Sequence, residues 1–357
     1  MLKGIGRQKL YWTIPWRQAV VAEANRQAVA AGGRVHAAQV DALGIAADWS
    51  RWLVVGVVLM AGGQIIGLPA LSSLAALVVA GLGFLAGLPH GGVDHLMAMR
   101  LAGRRIVPVV LAYAGLAAAA WALLRWGGPI ALLAVVALSA LHFGLGELVV
   151  TRELSGWRPS RITAAAIVVA GSGALLLPLA RSGDQFSDVA KAVSPGLAQV
   201  IGAAPVRTAV LLIWLAAATV AVVASLVAGR TGAALDIVLI GALGMLVQPL
   251  VAFAVWFGGW HALRHSARML TEEPGCSALL AQGRPRAALR RLAGLAAPMS
   301  LAALAVILAL AWLTLTAPEL ATVLAEVLRL LLALTVPHMA VVWWLDRRSA
   351  PDGPALG

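Results

Sequence analysis

The sequence predicts an all-α membrane protein, a polytopic bundle of about eight to ten transmembrane segments. Three observations carry that prediction. Of 357 residues, 61% are hydrophobic and 12% are charged, and the mean hydropathy is +0.90, more apolar surface than one water-soluble core can hide. Apolar runs of the roughly 17 to 25 residues needed to cross about 30 Å of hydrocarbon recur along the chain. The Lys and Arg residues behind the net charge of +12 sit in short clusters between those runs. That is a topology signal and argues against a nucleic-acid partner.

The apolar runs fall near 52 to 68, 70 to 89, 106 to 124, 129 to 150, 162 to 180, 208 to 228, 292 to 316 and 320 to 345. The stretch from Gly232 to Arg264 is too long for one ordinary crossing and is interrupted at Gln248-Pro249. Basic loops decide its reading. With the N-terminus inside, the clusters at Arg100, Arg104 and Arg105, at Arg152, Arg158 and Arg161, at Arg230, and from Arg264 to Arg291 all fall inside if 232 to 264 crosses twice or enters and returns. Arg347 and Arg348 then lie inside too. The expectation is a multi-pass protein of the inner (plasma) membrane with both termini cytoplasmic. Residues 1–50 read as a cytoplasmic extension, 51–346 as one membrane domain and 347–357 as a cytoplasmic tail. The first fifty residues mix Lys3, Arg7, Lys9 and Arg17 with Glu23 and Asp41 and show no compact apolar region before a cleavage site. Cys276 is the single cysteine, which excludes a disulfide framework, a cysteine-based zinc site and an iron–sulfur cluster held by this chain alone.

Polar metal-binding side chains are expensive inside membrane spans and mark function there. Six of the seven histidines fall in four motifs: His90 and His95 in PHGGVDH, His142 in LHFG, His261 and His265 in WHALRH, and His338 in PHM. His36 lies in the extension. The pair His261 and His265, at i and i+4, projects two imidazoles from one helix face at a separation one ion can bridge. Alone, such a pair also suits two interfacial histidines at a helix end. The topology places all four motifs in the cytoplasmic half of the bundle, a coincidence that independent structural histidines would have no reason to share. Neutral imidazoles without thiolate leave zinc, copper, iron or nickel open and disfavour magnesium and calcium. Four imidazoles on iron(II) leave octahedral positions open for dioxygen chemistry on an uncharged substrate.

These motifs resemble the Brp/Blh family of bacterial and archaeal membrane β-carotene 15,15′-dioxygenases, which supply retinal to microbial rhodopsins. The match is carried by GLPHG with Asp94 and His95, by SALHFG from Ser139, by QPLVAFAVWFGGWHALRH from Gln248 and by TVPHM from Thr335, across about 52 to 346. The resemblance implies an Fe(II) cofactor on His90, His142, His261 and His265, which would be the catalytic centre. Whether His95 or His338 also binds the metal stays open. Asp94 could fix a ligand's tautomer or pair with Arg264 or Arg268, and Glu147 reads equally as an interfacial charge or as an acceptor behind a ligand. The sequence departs from the family in its first fifty residues, in Arg181 where a histidine is often found, and in Val255-Trp256-Phe257 where tyrosines are common.

The implied reaction is cleavage of β-carotene by O2 at the central double bond to two retinal molecules, the substrate entering laterally from the lipid bilayer. Phe143, Trp256, Phe257 and Trp260 are candidates to line its tunnel, whereas Trp343 and Trp344, beside Asp346 and Arg347, read better as an interfacial belt. A functional link to a microbial rhodopsin follows from the same resemblance. The rival readings are a di-iron membrane desaturase or hydroxylase, which needs more densely clustered histidines, and a transporter or haem carrier with His142 and His338 as facing axial ligands.

Overall fold

The computed structural model describes residues 41–67, 69, 71–103, 105–181, 191, 193–314 and 320–349. His36, most of the N-terminal extension and the tail beyond 349 lie outside them. The described residues are helices joined by short turns and coil, with no strand among them. Water is absent from a bilayer core, so every backbone N–H and C=O must be paired within its own segment, and a helix does that.

The helices follow in order as α1 (Asp41–Ile65), α2 (Ser73–Gly87), a 3₁₀ turn (Leu88–Gly91), α3 (Asp94–Ala102), α4 (Ile106–Trp126) and α5 (Gly128–Ser155). Then come α6 (Arg161–Gly171), α7 (Gly173–Arg181), α8 (Pro195–Gly202), α9 (Ala204–Val227), α10 (Thr231–Leu246) and α11 (Pro249–Trp256). A π-helical segment (Phe257–Ala262) leads into α12 (Leu263–Glu272), and α13 (Pro274–Ala281), α14 (Pro285–Thr314) and α15 (Leu320–Ser349) follow. Among the described residues, seven helices are long and apolar enough to cross a membrane, eight if the bent pair α6–α7 is one span. The 16-residue α10 and the interrupted rod from Pro249 to Glu272 occupy the stretch expected to cross twice or re-enter.

Sequence chemistry accounts for the breaks. Ser72 and Ser160 accept from the N–H groups of Ala75 and Thr163 and so cap α2 and α6. Proline stands in the first turn of α5, α9, α11 and α13, where its missing N–H costs nothing. Between α10 and α11, Val247 is extended and Pro249 cannot donate. The carbonyls stranded at the end of α10 are taken by Arg181, which donates to Gly244 O (3.1 Å) and Val247 O (3.3 Å). Residues 41–50, read from sequence with the extension, are helical in α1, and Leu43, Ala46 and Ala47 are buried there.

Exposure separates lipid-facing from inner helices. In α4 only 6% of the apolar window is buried, so its Leu and Val side chains have lipid as their solvent, whereas α5 is 44% buried. The inner helices approach closely. A Cβ on Gly258 would lie 2.1 Å from the Gly83 carbonyl oxygen, and one on Gly87 would lie 2.0 Å from the Phe257 ring. Small residues at these two points bring α2 and its 3₁₀ turn against the π segment.

Candidate metal centre

Four separate helical rods deliver five imidazoles to one place. His90 sits on the 3₁₀ turn that interrupts the span from Ser73 to Ala102, His142 in the middle of α5, His261 in the π segment, His265 on α12, and His338 on α15 directly after Pro337. Three of these sites are irregular. The 3₁₀ turn, the π segment and the internal proline each alter the helical register locally, which aims a side chain where a regular helix would not.

The ring centroids of His90 and His338 are 4.6 Å apart, those of His142 and His338 5.1 Å, and those of His265 and His338 5.2 Å. His261 lies 5.3 Å from His142 and 5.5 Å from His90, and its ring is nearly parallel to that of His265 at 6.2 Å, the stacking expected of an i, i+4 pair. One ligand atom from each of His90, His261 and His338 falls within 4.8 Å of the others, and so does one from each of Asp94, His265 and His338. All these residues are buried.

The hydrogen bonding shows what the cluster lacks. Nε2 of His142, His261, His265 and His338 is buried without a partner in each case. Four orphaned imidazole nitrogens in an apolar bundle carry a desolvation cost that neighbouring helices do not relieve, and a shared cation relieves it at once. Tautomers are fixed from the far side of two rings. His90 Nδ1 meets the Gly87 carbonyl, and His338 Nδ1 lies 2.7 Å from Asp94 Oδ2, both acceptors only. Each Nδ1 therefore carries the proton and donates it, which leaves the Nε2 lone pair free to bind a metal. Tyr113 OH donates to the same Asp94 oxygen at 3.0 Å. The donor set, nitrogen without thiolate, fits a transition metal.

Asp94 therefore serves His338, and the arginines offered to it by the sequence have other partners. Arg264 bonds Glu147 (3.2 Å), both oxygens of Asp236 (3.1 and 3.3 Å) and Ser50 (2.9 Å), while Arg268 bonds Glu153 (3.0 Å) and Asp346 (2.8 Å). Glu147 also accepts from Trp260 Nε1 at 2.6 Å, so it braces the segment that carries His261. His95 is buried on a cavity wall beside the cluster, with Nδ1 unpartnered, and its ring is not among those packed together.

Two apolar cavities meet beside this centre, sharing the walls of Phe143 and Phe257. One, of about 140 Å³, runs among Leu132, Val136, Leu175, Leu250 and Phe253. The other, of about 410 Å³, contains His90, His95 and His338 and extends past Ala117, Met299 and Ala303. Of the four aromatic residues singled out in the sequence, Phe143 and Phe257 line both. Trp256 and Trp260, named with them, are fully buried behind the cluster instead. Trp256 stacks on His261, and the Arg264 guanidinium lies 3.6 Å over Trp260. A haem between His142 and His338 has no room, because the rings of His90, His261 and His265 surround that pair.

Sequence reasoning passed over Asp236, Tyr113 and Phe84, the last a wall of the smaller cavity. Asp236 did carry a signal: a lone carboxylate in an apolar run is costly without a buried partner.

A family model described as β-carotene 15,15′-dioxygenase matches residues 81–346. A curated relative from Halobacterium salinarum, named probable β-carotene 15,15′-dioxygenase Blh, is 32% identical over 289 residues, covering 73% of this chain and 81% of the relative. No solved structure matches the chain. The matched residues contain every helix that contributes an imidazole to the cluster, and the chain belongs to the β-carotene 15,15′-dioxygenase family.

Proposed function

We propose that this protein cleaves β-carotene at its central 15,15′ double bond with O2, giving two retinal molecules, at an iron(II) held by His90, His142, His261 and His265. The observation that carries the reading is the set of orphaned Nε2 atoms gathered beside two apolar cavities. Bound by these neutral imidazoles, iron(II) would supply the electrons needed for dioxygen chemistry. One O2 is consumed per double bond, each carbon of that bond leaves as an aldehyde, and no net proton is taken up or released. Accordingly the site needs neither a side-chain nucleophile nor a general acid.

The chain's own groups position and exclude. The Gly87 carbonyl holds His90 in the metal-binding tautomer, and Asp94, steadied by Tyr113, does so for His338, whose Nε2 opens onto the same space. Glu147 accepts from Trp260 on the π segment and from Arg264 on α12, bracing the stretch that carries His261 and His265. Phe143 and Phe257 pack against His261 and His90 on the walls that both cavities share and keep water from the reacting bond. The substrate is a hydrocarbon dissolved in lipid, which suits cavities lined almost wholly by apolar side chains. By the charge pattern of its loops, the protein sits in the plasma membrane with 1–50 and 347–357 on the cytoplasmic side. Its retinal would serve a microbial rhodopsin.

Expression in cells that accumulate β-carotene tests the proposal: pigment should bleach and retinal appear. Verified expression with intact pigment would refute the substrate, and stoichiometric zinc in place of iron in the purified protein would refute the metal.

A further inference from the structure

The two cavities share four wall residues, Phe143, Phe257, Leu331 and Thr335, and otherwise diverge. α15 walls both; the smaller otherwise runs between α5, α7 and α11, and the larger between the 3₁₀ turn, α4 and α14. The shared waist abuts the imidazoles: the Phe143 ring is 4.9 Å from that of His261 and 5.4 Å from that of His142, and the Phe257 ring is 5.3 Å from that of His90. A rod cut at its midpoint needs that layout, with the reacting bond beside the metal ligands and room for one arm on each side. Resting on the activity proposed above, we infer that the waist is a ruler: β-carotene threads it with one ring-bearing arm in each chamber, and the chambers' far walls centre the 15,15′ bond.

The chambers differ. Among its described lining residues, the smaller has only the hydroxyls of Ser139 and Thr335 as polar groups and is narrowed by Phe84 and Phe253, whereas the larger is walled by small residues such as Ala117 and Ala303. Each chamber can therefore be filled away from the imidazoles. Val136→Trp and Leu250→Trp fill the smaller, and Ala117→Trp and Ala303→Trp fill the larger. Two variants per chamber guard against one that fails to fold.

The metal-loaded full chain in lipid nanodiscs, kept without oxygen so that nothing turns over, is titrated with β-carotene and with an apocarotenal that keeps one ring and has its other arm shortened. Retained pigment per protein is measured. Every folded variant should bind β-carotene at least about tenfold more weakly while holding the short-armed ligand within about twofold, because its stub can take the filled side. Unchanged β-carotene binding in both variants of either chamber would overturn the inference, as would equal loss of both ligands at an unchanged melting temperature. Admitting oxygen to the wild type then tests cleavage separately. Pigment bound in the threaded pattern but left intact would sink the proposed activity and not the ruler.

Discussion

Two buried polar assemblies meet on α12, where Arg264 and His265 are neighbours, and are built on opposite principles. In the network of Arg264, Glu147, Asp236 and Arg51, the charges meet opposite charges at 2.7 to 3.3 Å. In the histidine cluster, four nitrogens meet nothing. Both cost desolvation, and only the first recovers it within the protein. The contrast separates a brace from a binding site. A satisfied network holds helices in register, while unsatisfied lone pairs converging on one point call for something the chain does not encode.

The largest effects should come from the unsatisfied side. His261→Ala should lose iron on metal analysis and retinal formation to background, while His95→Ala, outside the packed rings, should retain its iron. Equal iron loss in both would erase the distinction between cluster and wall. Next, on the satisfied side, Glu147→Ala leaves Arg264 buried and undercompensated and should destabilise by about 3 to 5 kcal/mol, read as a fall in melting temperature in detergent. Replacing Glu147 and Arg264 together by Met should recover much of that loss, although Asp236 would then keep only Arg51. If the double variant were the less stable by the full sum, the network would hold more than mutual pairing.

Asp94→Asn tests the link between the two kinds of site, because it keeps the shape but weakens the hold on the His338 tautomer. Iron affinity should fall about 10- to 100-fold if His338 serves the metal, with melting of the metal-free protein little changed. No change in affinity would confine His338 to a packing role. The smallest effect lies outside the membrane spans, at α13. The paired hydrogen bonds from Arg291 hold the Glu273 carboxyl down to about 2, so its contribution to stability is complete above the ordinary value of 4.5 and is lost as pH falls towards 2. Beside it, burial and Glu273 push the Cys276 thiol up to about 12. A thiol reagent at neutral pH should leave the folded protein unlabelled, and rapid labelling would show that α13 opens readily.

Much of this was legible in the residues. Each span is a local hydrophobic run whose partner is lipid, so helices such as α4 and α9 needed no tertiary knowledge, and Gln248-Pro249 marked its break because proline cannot donate to the preceding turn. The histidine motifs also stood out, since polar side chains are rare in such runs. Composition, spacing and the cost of polarity in lipid thus determined by themselves a multi-pass bundle with an imidazole site.

The tertiary structure alone decided what touches what. Asp94 could face an arginine or a histidine, and the 3₁₀ turn before it settled the choice by turning it towards His338. Trp256 and Trp260 read from sequence as tunnel residues, yet both are fully buried, Trp256 stacked on His261 and Trp260 bonded to Glu147, while Phe257 stands on the cavity wall. One residue added to a helical turn changes which face every later side chain presents, and that register is set by packing between distant helices, as where Gly83 meets Gly258. A local hydrophobic pattern does not contain that information.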